Sequence, residues 1–510
     1  MTVAVKRAPL RRYLVQALVV LLINVPMVSF GLTLGWVSLE SGEGGAGGAG
    51  GAGGAGGAEL VWAAAIPPLV SLLGVPLSAR ALSAGRKLAV IATSAAFVVC
   101  WALTLCGGGW WVMAARVAAG LGSAGAWAIG PVLAQEMCER RVRGAAAAAL
   151  VVAHNVGLLL MYLAAASGMH HRTVVWWCLS LSAAHCVLYL LVPESPAFLA
   201  ANGRAQAARA ALSRLRGSAA PDAALEEELR ALPLPQLRHH NPLQIVKDML
   251  SVRCRRRAFV IAAVSVIGQE MCGVFTLLQF AEHVFVLTRD RSPPAPAPAP
   301  APPPAPAACS VSVTVSRAAA HEGALVSPAG HAVLLGVVQL IASVFSLYLV
   351  EKVGRRRLLV WSALVTGAAL ACAAASVWAR AGAAWVSAAL LAVVAADSGG
   401  LQPAPYALLG DLFHYQYRTC ALSLVAAGAG AANALELAVF AGVGGLAPAL
   451  ALAAAVTLLL AGFAAACVPE TRGRDLRHVY SALCEPRPCA ECLTQRTKEQ
   501  CSNETECTRV

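Results

Sequence analysis

Residues 330–357, GHAVLLGVVQLIASVFSLYLVEKVGRRR, decide the fold class of this chain. Positions 330–350 contain no Asp, Glu, Lys or Arg, and most of their side chains are aliphatic or aromatic. A helix that crosses the roughly 30 Å hydrocarbon core of a bilayer needs about 20 apolar residues, because it rises about 1.5 Å per residue. Four of the next seven residues are basic. The stretch therefore predicts a membrane-spanning helix that ends at a basic loop.

Apolar runs of similar length recur along the whole chain. Hydrophobic residues make up 58% of the 510 residues and charged residues only 13%, against about 45–50% and about 25% in an average globular protein. This composition excludes a soluble fold, a disordered chain and a disulfide scaffold. Twelve spans are predicted, at 14–36, 59–79, 88–107, 110–134, 145–167, 173–192, 257–287, 330–350, 358–379, 383–409, 420–444 and 447–468.

The positive charges are distributed very unevenly between the predicted loops. Loops on the side that holds both termini contain 33 of the 39 Lys and Arg residues. Cytoplasmic loops of membrane proteins carry an excess of these residues, so both termini are predicted in the cytoplasm. The net charge of +13 then belongs to the cytoplasmic face, and a nucleic-acid partner is not needed to explain it.

Short charged signals occur twice along the chain at a nearly constant spacing. GRKL at 85–88 matches GRRRL at 354–358, and PES at 193–195 matches PET at 469–471. Two single residues follow the same offset: Glu136 pairs with Asp411, and Arg143 with Arg418. The order of these pairs predicts a parallel repeat of two six-helix halves, which is the major facilitator architecture.

The predicted organisation has five segments. They are a cytoplasmic N-terminus at 1–13, a six-helix half at 14–192 with a Gly/Ala outer loop at 42–58, a cytoplasmic helical linker at 193–256, a second six-helix half at 257–468 with a Pro/Ala-rich outer loop at 289–329, and a cytoplasmic tail at 469–510.

Five motifs carry a resemblance to a known family. They are PESPAFL at 193–199, QEMCG at 269–273, EKVGRR at 351–356, GLQPAPY at 400–406 and PETRGR at 469–474. On these residues the chain resembles a sugar porter of the major facilitator superfamily, and within it the insect facilitated trehalose transporter-like branch. The resemblance implies a plasma-membrane transporter that moves trehalose or a hexose by facilitated diffusion and alternating access. It implies no enzyme activity and no cofactor.

The resemblance also implies a substrate site, which departs from the family pattern. Sugar hydroxyls need paired donors and acceptors, and sugar C–H faces pack on aromatic rings. The matching positions are Gln269, Glu270, Phe275, Tyr406 and Asn433. Here Glu270 replaces a Gln of the family pattern, Phe275 replaces an Asn, and Tyr406 replaces a Trp. Val151 and Ala434 further replace a Gln and a Trp.

The charged motif residues predict a gating network at the cytoplasmic ends of the helices. The resemblance implies that its ion pairs form when the site faces outward and separate as the halves rock. The predicted members are Arg86, Arg116, Glu136, Arg143, Glu194, Glu351, Arg355, Arg356, Asp411, Arg418 and Glu470. Arg116 is a charge inside a span, of the kind that faces the bundle interior and pairs with an acid, and the resemblance implies that it joins this network.

Two alternatives to facilitated diffusion remain open from the residues. His154, Asp397 and Glu436 fall within predicted spans, and intramembrane ionisable groups form proton relays in transporters. In the family that the chain resembles, proton-coupled sugar porters typically carry a carboxylate in the first helix. The first span here has none, so the resemblance favours facilitated diffusion over proton symport. The altered site also leaves open a non-transporting sugar sensor or degenerate paralogue.

The C-terminal tail carries two weaker signals. Thr508-Arg509-Val510 resembles a PDZ-domain ligand. Five cysteines follow Tyr480, but no His accompanies them and their spacing is irregular, so no metal site is predicted. No phosphate-binding loop of the G-x-x-x-x-G-K-[ST] kind occurs, which argues against ATP-driven pumping.

Overall fold

The structure is a computed structural model. It describes residues 2–43, 55–107, 109–139, 142–217, 223–230, 232, 242–281, 284, 327–381, 383–413, 415–443, 445–472, 479–480 and 483. Every regular element in these ranges is a helix. The described part of the chain therefore agrees with the predicted all-α class.

The helices are numbered in chain order. They are α1 (Thr2–Glu43), α2 (Ala55–Ala84), α3 (Arg86–Cys106), α4 (Gly109–Met137), α5 (Arg143–Ala166), α6 (His171–Tyr189), α7 (Pro196–Ala201), α8 (Ala205–Arg216), α9 (Ala223–Arg230), α10 (Pro242–Ser251), α11 (Arg253–Glu270), α12 (Val274–Gln279), α13 (Pro328–Val353), α14 (Arg355–Trp378), α15 (Ala383–Ala396), α16 (Pro403–Leu412), α17 (Tyr415–Gly442) and α18 (Leu446–Cys467).

Eleven membrane-spanning candidates meet the requirements of length and hydropathy within these ranges. Helix α6 occupies the place of the predicted sixth span and is long enough at 19 residues, but it begins with His171 and Arg172. It packs against α3 and α1 like a member of the bundle. The difference from twelve therefore lies in the polar composition of α6 and not in a missing helix.

Two of the spans are interrupted at the centre of the molecule. Helix α11 ends at Glu270, and α12 resumes at Val274 after Gly273, whose φ is 84°. A Cβ at Gly273 would also lie 2.9 Å from the Ala453 side chain, so a glycine suits this bend. Between α15 and α16 the chain makes a π-helical turn over Asp397–Leu401. Such turns frequently occur at functional sites, and this one precedes Pro403, which has no N–H to donate.

The two halves face each other through two main helix pairs. Within the first half α1 packs along α5, and α4 packs on α2 and α3. Within the second half α14 packs on α18 and α15. Helix α5 faces α13 across the boundary, and α2 faces α17. A cavity bounded by both halves follows from this arrangement.

The crossing of α1 and α5 depends on two glycines that let the backbones touch. A Cβ at Gly157 would lie 2.1 Å from the carbonyl oxygen of Val28, and one at Gly31 would lie 2.1 Å from that of His154. Small residues at such crossings allow close packing of membrane helices.

We expect Gly157→Ala to lower the unfolding temperature in detergent sharply and to reduce the amount of monodisperse protein. The added methyl group would force α1 and α5 apart, and overpacking of this kind costs about 1–3 kcal/mol. The matched control is Gly462→Ala in α18, where an added Cβ meets no heavy atom within 4 Å. Equal melting temperatures for the two variants would contradict the described crossing.

Four short helices, α7–α10, lie in the predicted linker 193–256. The Gln16 side-chain amide donates to the carbonyl oxygen of Leu215 at 2.7 Å, and Arg216 Nη1 donates to that of Met137 at 3.0 Å. These bonds attach α8 to the end of the first half. Helix α2 begins at Ala55, inside the predicted Gly/Ala loop. Most of that loop, the Pro/Ala tract and the C-terminal tail lie outside the described residues.

Candidate functional site

A cavity with two adjoining lobes lies between the halves. The lobes contain about 620 and 430 Å³ of space that no protein atom fills, part of it open to solvent. Both lobes are lined by Phe30 of α1 and Trp127 of α4, and by Glu270, Phe275 and Asn433 from the second half. Side chains of both halves thus enclose one space.

All five residues that the motifs predicted as substrate-binding line this cavity. Glu270, Phe275 and Asn433 face both lobes, Tyr406 faces the first and Gln269 the second. The local backbone explains their position. Gln269 and Glu270 stand at the end of α11, where the helix breaks before Gly273, and Tyr406 lies in α16 just beyond the π-helical turn.

The polar side chains of the cavity are connected around Glu270. The Tyr406 hydroxyl donates to Glu270 Oε1 at 2.9 Å, and the Asn433 amide lies beside the same carboxyl group. Gln269 is only 4% exposed, and its Oε1 has no hydrogen-bond partner among the described atoms. A buried acceptor that the protein does not satisfy is available to a ligand donor.

An aromatic wall from the first half completes the cavity. The Trp127 ring stacks on Tyr406 with 4.6 Å between centroids and 23° between planes, and Phe30 meets Trp127 edge-on at 6.1 Å. His154 stacks on Phe30 at 4.9 Å. Phe30 and Trp127 were not predicted as site residues from the sequence. A signal for Trp127 was present, because it is the one aromatic residue in the run GSAGAWAIG at 122–130.

Two further carboxyl groups lie in or near the cavity. Asp397, 1% exposed, faces the second lobe from the π-helical turn, and Cys272 Sγ lies 3.9 Å from its Oδ1. Glu436 accepts a hydrogen bond from the backbone N–H of Thr276 at 2.8 Å, which ties α17 to α12. Ionisable groups at this depth are costly, and they mark functional sites in membrane proteins.

The predicted charge network begins with a buried ion pair in the first half. Arg86 binds Glu136 in a bidentate manner, with Nε–Oε2 at 3.0 Å and Nη2–Oε1 at 2.9 Å. The Ser195 hydroxyl donates to the same carboxylate at 2.6 Å. Glu194 Oε1 accepts from the backbone N–H of Lys87 at 3.1 Å.

The second half contains the same arrangement at the matching motif positions. Arg355 Nε lies 3.1 Å from Asp411 Oδ2, and the Thr471 hydroxyl donates to that carboxylate at 3.0 Å. Glu470 Oε1 accepts from the backbone N–H of Arg355 at 3.1 Å. One network therefore occurs twice, which agrees with the internal repeat seen in the sequence.

Each of these described ion pairs joins helices of a single half. Rigid-body rocking does not have to break Arg86–Glu136 or Arg355–Asp411, so the predicted separation of ion pairs during rocking stays a prediction. The described contacts therefore brace the end of each half. Arg356 and Arg418 donate to the carbonyl oxygens of Ala465 and Phe413, also within the second half. The side chains of Arg143 and Glu351 lie outside the described residues.

The prediction that Arg116 joins the cytoplasmic network is corrected by the structure. Its guanidinium lies 3.9 Å from the ring centroid of Trp36, and its Nη1 lies 3.5 Å from the carbonyl oxygen of Thr33. Arg116 and Glu136 stand on the same helix, twenty residues apart, and such a separation spans about 30 Å. Arg116 therefore lies at the end of α4 opposite to Glu136.

The two halves contact each other at three described places around the cavity. Gln279 Nε2 of α12 lies 3.5 Å from the carbonyl oxygen of Ala64, and Gln339 donates to Asn155 at 2.9 Å. At the predicted cytoplasmic end, a Cβ on Gly410 would lie 3.4 Å from the Gln135 amide nitrogen. These contacts hold the two halves together around the cavity.

Comparison with known proteins identifies related sequences and folds. A family model described as "Sugar (and other) transporter" matches residues 59–288 and 323–483. The facilitated trehalose transporter Tret1 of Polypedilum vanderplanki is 26% identical over 236 residues, which are 44% of this chain and only 45% of that protein. The probable metabolite transport protein CsbC of Bacillus subtilis (strain 168) is 23% identical over 384 residues, 73% of this chain and 74% of that protein.

Solved structures with a similar fold include two of the xylose transporter XylE. The partially occluded inward-open form from E. coli gives a TM-score of 0.68 at 17% identity, covering 90% of this chain and 99% of that one. The proton:xylose symporter XylE bound to 6-bromo-6-deoxy-D-glucose gives 0.66 at 17% identity, covering 92% and 100%. These likenesses show the fold, which is that of the major facilitator superfamily.

Proposed function

The chain belongs to the sugar (and other) transporter family, and we propose that it carries trehalose or a hexose across the membrane by facilitated diffusion. The observation that carries this proposal is the cavity between the halves. It combines an unpaired amide oxygen on Gln269 with the stacked rings of Trp127 and Tyr406, the two kinds of group that bind sugars. The trehalose transporter among the relatives supports the substrate class.

We further propose the plasma membrane as the location, with the chain ends in the cytoplasm. The support is the concentration of 33 of 39 basic residues in loops on one side. The predicted PDZ ligand at 508–510 lies outside the described residues and stays a prediction.

Uptake of radiolabelled trehalose and of several hexoses into oocytes tests the transport activity. The expected result is saturable uptake of at least one of these sugars above that of uninjected cells, with surface expression verified by biotinylation. Surface protein without saturable uptake of any of them would favour the non-transporting sensor.

Proton symport is a second candidate, favoured by the buried carboxyl groups of Asp397 and Glu436. Under facilitated diffusion we expect sugar uptake to change less than about twofold when the outside is acidified, and Glu436→Gln to leave that small response unaltered. A strong dependence on the pH gradient that is lost in Glu436→Gln would overturn facilitated diffusion. The variant needs a surface-expression control, because Glu436 also holds the α12 backbone.

A further inference from the structure

Several hydrogen-bond acceptors in the second lobe of the cavity have no donor among the described residues. Gln269 Oε1, Gln402 Oε1 and Asn433 Oδ1 all lack a hydrogen-bond partner. Gln269 and Gln402 are only 4% and 8% exposed, so bulk water does not solvate them freely. Each of these side chains lines the lobe. A ligand that satisfies the lobe must therefore be rich in donors.

The same lobe holds two carboxyl groups without a basic partner in its lining. Glu270 and Asp397 both face it and lie close enough to interact electrostatically. No Lys or Arg occurs among the described residues that line either lobe. His154 is the one other titratable side chain lining the second lobe, and its ring is stacked on Phe30. A cationic ligand would supply the positive charge that stabilises these carboxyl groups in their ionised form.

Aromatic rings next to Glu270 strengthen this preference. Tyr406 contacts the carboxyl group through its hydroxyl, and the ring of Trp127 stacks on that of Tyr406. Phe30 and Phe275 line both lobes with Glu270. Cations bind the faces of such rings, and aromatic cages beside a carboxylate recognise ammonium groups.

A bare metal ion fits this lobe poorly. Among the described residues, no three His, Cys, Asp or Glu side chains are near enough to one another to hold a metal ion. An ammonium group needs fewer ligands, because it offers three N–H donors and one positive charge on a single nitrogen. The lobe can supply a carboxylate and an amide oxygen to those donors.

We propose that the cavity prefers a sugar that bears a protonated amine, a hexosamine, and that Glu270 is the residue that binds its ammonium group. The sugar ring then stacks on the Trp127–Tyr406 wall, and Gln269 accepts from the ligand's donors. The inference rests on the proposed function, because it names the substrate class of the same site. It also accounts for Glu270 at a position where the family pattern has a neutral Gln.

The test uses purified protein in proteoliposomes and three matched labelled probes. These are D-glucosamine, its neutral N-acetyl derivative and D-glucose. The expected result for the wild type is a kcat/KM for glucosamine about tenfold above those of the two neutral sugars, as expected for one added charge-assisted contact. In Glu270→Gln the ratio of glucosamine to glucose should fall to about one. Glu270→Asp, which keeps the charge, should retain most of the preference.

The outcomes separate the inference from the proposed function. Equal uptake of all three sugars by the wild type, or an unchanged ratio in Glu270→Gln, would overturn the hexosamine inference while sugar transport stands. Absence of saturable uptake of every probe, from protein that is monodisperse and correctly inserted, would overturn the proposed function itself. If Glu270→Gln fails to fold, the glucosamine-to-glucose ratio is compared between the wild type and Glu270→Asp. A ratio of about one in the wild type would overturn the hexosamine inference.

Discussion

Gln269→Ala should lower sugar uptake by about tenfold to a hundredfold while leaving the protein at the cell surface. Gln269 is buried at the end of α11 and lines the second lobe, with its Oε1 open to a ligand. A lost polar contact with substrate costs about 1–3 kcal/mol, and each 1.4 kcal/mol is a factor of ten in binding. The measurement is initial-rate uptake normalised to surface protein.

The control for this variant is Gln16→Ala. Gln16 is equally buried, but it binds the backbone of Leu215 at the junction of α1 and α8, far from the cavity lining. We expect it to lower stability while uptake per surface molecule stays near that of the wild type. Unaltered uptake in Gln269→Ala would show that the substrate site lies elsewhere.

Glu136→Gln should destabilise the protein far more than Asp411→Asn, although the two acids are matched by the internal repeat. The side chains of Arg86 and Glu136 are 9% and 4% exposed, whereas those of Arg355 and Asp411 are 12% and 33% exposed. Breaking a buried pair costs about 3–5 kcal/mol, because one charge stays buried without its partner. A pair near solvent is worth about 0–1 kcal/mol.

Thermal unfolding of both variants in the same detergent measures this difference. Each variant preserves side-chain shape and removes one charge, so the pair is a matched comparison. A larger loss of stability in Asp411→Asn would contradict the described burial of the two networks.

The spans and the repeat were accessible from the sequence because both depend on short-range patterns. A run such as 330–350 has to lie in the bilayer whatever its neighbours are. The motif pairs Glu136/Asp411 and PES/PET identified the two repeated halves from the sequence alone. In the structure each half contains an arginine paired with the motif carboxylate, and a motif hydroxyl that donates to the same carboxylate.

The composition of the site was harder to predict because it depends on packing between distant segments. The family motifs led to Gln269 and Tyr406, but the partners Phe30 and Trp127 come from the other half and carry no motif. Arg116 was misplaced for a different reason. Its distance along α4 from Glu136 was countable in the sequence, and it excluded a contact between the two.

The pairing of charges across or within halves could not be deduced from the motifs alone. Arg86 and Glu136 are fifty residues apart in sequence, and their proximity depends on how α3 packs on α4. The motifs identified the residues of the charge network. The packing of the helices determines that each described ion pair lies within one half.

Counterflow in proteoliposomes tests the central claim, sugar transport by alternating access, most directly. Vesicles are loaded with an unlabelled sugar, diluted into the same sugar in labelled form, and followed over time with no ion gradient. The account predicts a transient overshoot of internal label that disappears in Gln269→Ala. A flat time course for every sugar tested, from correctly inserted wild-type protein, would contradict it.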